Sequence, residues 1–206
     1  MLSELRENQR QLLSGLTLDP SFDGVRGPTN ILGRTPGLLP PALVESCVEF
    51  YFASIYSTLP MLHRQRVRET IMNTAQSTEA YCMITALCAF VMIQANFKPP
   101  PETLSRPEMV QMPSVMIGQY MLEESIRVRK GYDYINQPTI LSILTSFLYY
   151  SCFYNLEKDN AAWTYLREAT TQAQLLNMHD EDTYKPPSPD QLKKRALYWL
   201  LMVAER

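Results

Sequence analysis

The sequence predicts an all-α fold, an irregular multi-helix bundle of antiparallel helical hairpins. Three observations carry that expectation. Beyond residue 39 apolar residues recur at steps of three and four, and no stretch alternates in the way a half-buried strand requires. Only Gly118 and Gly131 follow residue 37, so the evenly spaced turn glycines of a sandwich or barrel are missing. The 206 residues are 46% hydrophobic and 19% charged with a net charge of −2, enough apolar material for a chain this long to build its own core.

Residues 1–38 hold five of the seven glycines together with Pro20, Pro28 and Pro36, a composition that reads as a linker or flexible arm. The body is expected over 39–206. A first helix spans about 41–58 and is closed by Pro60, a second about 64–75, and a third about 78–96, which Pro99-Pro100-Pro101 forbids from continuing. A fourth covers about 113–131. The fifth, about 138–153, opens with Pro138 in the first turn, where a missing N–H is harmless. In the sixth, about 160–177, Ala162, Leu166, Ala169 and Ala173 form one face. The short connection Tyr154–Asn160 makes the fifth and sixth antiparallel neighbours.

The seventh helix, about 189–206, has the clearest start. Ser188 caps, Pro189 fits the first position, Asp190 complements the dipole and Gln191 can close a capping box. Leu192, Ala196, Trp199, Leu200 and Val203 make an apolar stripe that Leu197, Tyr198, Leu201 and Met202 widen almost to the full circumference. Such a helix is expected to be buried on several sides. It reaches Arg206 with no terminator, so the chain reads as an incomplete domain of a longer protein.

The near-balanced charge argues against a nucleic-acid-coating protein or one that lies on anionic membranes. The uncharged stretches 80–97 and 135–156 carry too many polar residues for membrane spans and read as buried helices. Cys47, Cys82, Cys88 and Cys152 contain no C-x-x-C pair and read as buried free thiols. Neither His63 nor His179 has a second histidine at ligand spacing, and His179–Asp182 reads as a polar connector after a helix end. The basic runs His63–Arg68 and Lys193-Lys194-Arg195 read as solvated faces. G-x-S-x-G, Walker and G-x-G-x-x-G motifs are absent from the sequence. An all-α cyclase would need aspartate-rich metal motifs facing each other on helices, and Asp180-Glu181-Asp182 has no counterpart. No catalytic, cofactor-binding, metal-binding or DNA-binding residue is expected in this chain, and no enzyme.

Three segments in order resemble the fungal-specific transcription factor domain, the middle homology region of fungal binuclear zinc-cluster regulators. They are Leu39–Leu43 through Tyr56 and Leu59–Arg64; Trp163-Thr164-Tyr165-Leu166-Arg167-Glu168-Ala169 through Tyr184; and Arg195–Leu200 through Arg206. The resemblance implies a regulatory middle domain of a nuclear transcription factor, controlling RNA polymerase II transcription by effector sensing, inhibition or partner contacts. The wording around Trp163 resembles regulators of sugar use most. It also implies Trp163, Leu166 and Ala169 as packing positions, Arg167 and Glu168 as ion pairs between helices, and Asn177 in the left-handed cap where the family often has Gly.

The family's six-cysteine zinc cluster has no counterpart in this sequence. Zinc and DNA contact are therefore expected only from a missing N-terminal region. The implied partners are proteins of the transcription machinery or a second copy, with a small-molecule effector and no membrane. The 12 tyrosines and 11 methionines would suit an adaptable internal pocket, although Met-rich cores are commoner. The alternative is an all-helical scaffold or adaptor that titrates or bridges regulators.

Overall fold

A computed structural model describes residues 33–185 and 188–206. Among these residues there are eight α-helices and no strand. They are α1 (Pro41–Phe50), α2 (Arg64–Met72), α3 (Thr78–Gln94), α4 (Pro107–Val110), α5 (Ser114–Arg129), α6 (Ile140–Asn155), α7 (Asp159–Leu175) and α8 (Pro189–Ala204). The fold is all-α, as the periodicity predicts. The expected arm lies almost wholly outside the described residues.

The helix α3 is the axis of the body. Every residue from Ala80 to Ile93 is buried, which explains why its sequence shows no polar face and why it mimics a membrane span. No described helix is long and apolar enough to cross a membrane. Ser77 caps α3, its hydroxyl accepting from Ala80 N at 3.1 Å. The helix α5 runs antiparallel along one side: Ser125 Oγ donates to Cys82 O at 2.7 Å, while Ser114 at the other end donates to Asn96. On another side α6 runs parallel to α3, with Thr139 reaching Glu79 at one end and Asn155 reaching Gln94 at the other.

The helices α6 and α7 form the expected antiparallel hairpin. Ser142 bonds Gln172 and Ser146 bonds Glu168, while Phe153 stacks on Tyr165 with ring centroids 5.5 Å apart. Leu166, Ala169 and Ala173 are fully buried in this seam. Asn177 takes φ 51°. Met178 N donates to Ala173 O and Asn177 N to Gln174 O, the paired bonds of a left-handed helix terminator.

Several boundaries differ from expectation. The first helix is α-helical only to Phe50 and continues as a π-turn over Tyr51–Ile55. Helix α6 begins at Ile140 because Thr139 and Ser142 make a reciprocal capping box, so Pro138 precedes the cap instead of occupying the first turn. Pro107 opens the extra short helix α4, which lacks the length for a periodic signal.

The segment ahead of α1 is held to the body. Thr35 donates through N and Oγ1 to the carboxylate of Glu124 at 2.7 and 2.9 Å. Tyr81 OH and Arg127 donate to the same carboxylate at 3.1 and 2.6 Å. Leu38 is buried beyond it.

Candidate functional site

The helix α8 starts as the sequence says, with Ser188 Oγ accepting from Gln191 N at 3.2 Å. The box is only half made, because Gln191 Oε1 is buried with no hydrogen-bond partner. Nor is α8 buried on several sides. Leu197 and Leu201 are buried, whereas Leu192, Trp199 and Val203 are exposed. Periodicity shows where apolar residues lie, but burial also needs a neighbour opposite each face, and the described helices supply one on the Leu197 side only.

Trp163 is likewise not in the core: it is 49% exposed, one turn from Arg167 on the outer side of α7. Arg167 and Glu168 do pair between helices. Arg167 meets Glu205, the residue that ends α8, at 2.8 Å and Glu168 meets Arg129 of α5 at 2.9 Å. Arg129 is 2% exposed and donates to Ser142 O and Ser146 Oγ at 3.0 and 2.7 Å, with Tyr134's ring 3.8 Å away. A buried guanidinium needs this many partners to offset its lost hydration, so the cluster ties α5, α6 and α7 together.

The remaining chemistry-bearing residues fall in structural places. All four cysteines are buried and unpaired, and burial pushes the Cys82 thiol up to about 12. His179 is exposed. Asp180 caps a short 3-10 turn through Asp182 N, while Glu181 pairs with Arg195 and Asp182 with Lys185. No described group of three or more His, Cys, Asp or Glu converges as a metal site would require.

The two basic runs, distant in sequence, meet at a half-open cavity of about 620 Å³ lined by α2, α3, α6 and α8. Its floor is apolar, built from residues such as Leu62, Val67, Ala80, Met83, Leu144 and Leu197. Its rim carries His63, Arg66, Asp190, Gln191, Lys193 and Lys194. Arg66 joins α2 to the first turn of α8, with Nε 2.9 Å from Asp190 Oδ2 and Nη1 2.9 Å from Glu69. The hydrogen bond from Arg66 holds the Asp190 carboxyl below its ordinary value. Lys193 donates to Tyr56 OH at 2.5 Å and Pro60 O at 3.2 Å. His63 Nδ1, like Gln191 Oε1, is buried without a partner. This site escapes a linear reading because the α2–α3 pair, α6 and α8 lie far apart in the chain. The signal present was the pair of basic runs, each unremarkable alone.

The described residues thus define an all-helical body with a polar-rimmed apolar cavity. Among curated proteins, the chain is 35% identical over 164 residues to the probable sucrose utilization protein of Candida albicans, covering 79% of this chain and 31% of that protein. It is 22% identical over 169 residues to the respiratory transcription factor of Saccharomyces cerevisiae, covering 82% of this chain and 34% of that protein. The chain spans about a third of the length of the curated relatives it matches. No family model and no solved structure matches it. Both relatives are fungal proteins, and the second is named a transcription factor.

Proposed function

We propose that this chain is a regulatory middle domain of a nuclear fungal transcription factor, controlling RNA polymerase II transcription of carbohydrate-use genes. It would act by effector sensing, inhibition or partner contacts, with DNA contact supplied by a zinc cluster outside this sequence. The observation that carries the reading is the 35% identity to a probable sucrose utilization protein over 79% of the chain. The cavity offers a place for an effector. The exposed stripe of Leu192, Trp199 and Val203 favours partner contact as the second reading, in which the chain is an adaptor that bridges or titrates regulators.

The test fuses the 206-residue chain to a heterologous DNA-binding domain in yeast carrying a matching reporter. Output is measured on glucose, sucrose and maltose. The regulatory reading expects reporter output that depends on the fused chain and shifts with the sugar. Output identical to that of the DNA-binding domain alone on every sugar overturns it.

A further inference from the structure

We infer that the cavity between α2, α3, α6 and α8 binds a small organic anion with an apolar body, its charged head at Lys194 and its body on the floor around Val67, Met83 and Leu144. Size comes first: about 620 Å³ lies within the range of roughly 300–1,000 Å³ typical of small-molecule sites. An apolar floor with a few polar groups at one side is also the usual composition of such sites.

Charge then selects the head group. Three cations line the rim, Arg66, Lys193 and Lys194, against two carboxylates, Glu69 and Asp190. Both carboxylates are taken by Arg66. Lys193 is held by a phenol and a carbonyl, which leave its charge uncompensated, and Lys194 has no carboxylate within ion-pair distance among the described residues. The Arg66–Glu69–Asp190 cluster sums to −1, so with the two ammonium groups the rim beside the first turn of α8 carries a net charge of +1. That turn adds the positive end of a 16-residue helix.

The unpartnered atoms His63 Nδ1 and Gln191 Oε1 are closed off from solvent and add no donor to the rim. A cationic or purely apolar ligand would leave the lysines unanswered. The inference rests on the regulatory reading above only for what occupancy achieves, whereas binding itself is a property of the cavity.

The test uses two probes with the same aromatic body. One is 8-anilinonaphthalene-1-sulfonate, which carries an anionic head; the other is N-phenyl-1-naphthylamine, which carries none. Fluorescence titration of the full chain is expected to show saturable binding near one equivalent, tighter for the anion, with the difference shrinking as salt rises. Lys194→Glu is expected to weaken the anion by about tenfold and leave the neutral probe unchanged. Ile140→Trp, placed on the half-buried wall, is expected to weaken both probes. Circular dichroism confirms that each variant is folded; Leu141→Trp replaces Ile140→Trp if that variant is not. Equal affinity for the two probes, or an anion affinity that ignores Lys194→Glu, overturns the inference. Binding that survives the wall substitution places the probe on the exposed face of α8 and overturns it too. Because the titration involves no transcription, its failure leaves the reporter result standing, and the reverse holds.

Discussion

Side-chain identity and side-chain burial part company most clearly at Trp163. The family resemblance implies a packing role for it, yet the ring is half exposed while Leu166, three residues along the same helix, is fully buried. Trp163→Ala is expected to change unfolding free energy by about 1 kcal/mol or less. Leu166→Ala is expected to lower it by about 2–5 kcal/mol, since it opens a void in the α6–α7 seam. Urea denaturation followed by circular dichroism separates these values, and a Trp163→Ala loss equal to that of Leu166→Ala would place the ring in the core. Asn177 shows the opposite case. Its left-handed conformation is the one the family resemblance implied, and Asn is among the few residue types that tolerate it.

At the scale of helices, α3 and α5 approach closely enough that Gly118 is required. A Cβ built there would lie 2.7 Å from Ile93 Cγ1 and 3.1 Å from Ala89 O. In an isolated helix, Gly to Ala gains about 1 kcal/mol. Here the added methyl must push against a neighbouring helix backbone, so Gly118→Ala is expected to destabilise the protein by about 1–3 kcal/mol. A raised melting temperature would show that α5 moves away without loss. The seven long helices were readable because apolar spacing, long uncharged stretches or prolines mark them, and side-chain caps open α3, α6 and α8. The short α4 and the π-turn after α1 were not, because neither spans enough turns to repeat a pattern.

The whole molecule depends on polar clusters that join helices from different parts of the chain. At Glu124, burial acts to raise the carboxyl pKa, but the bonds from Thr35 N, Arg127 and the Thr35 hydroxyl together hold it below its ordinary 4.5. A carboxyl whose folded pKa is depressed stabilises the fold above its unfolded pKa, and that contribution disappears as pH falls through the folded value. Stability is therefore expected to drop on acidification below about pH 4.5. Glu124→Gln is expected to lose about 1–3 kcal/mol at pH 7 and to show a shallower acid slope; an unchanged slope in the variant would remove Glu124 from the acid response. The sequence by itself determined that the chain is helical and roughly where its long helices lie, because spacing and caps act within a few residues, while the family resemblance implied the pairing of Arg167 and Glu168. Only the tertiary structure decided that α8 shows one apolar face outward, that Trp163 stays outside the core, and that two basic runs more than a hundred residues apart meet at one cavity. Burial and cavity shape depend on which helices lie opposite one another, and that information is carried by no single stretch of sequence.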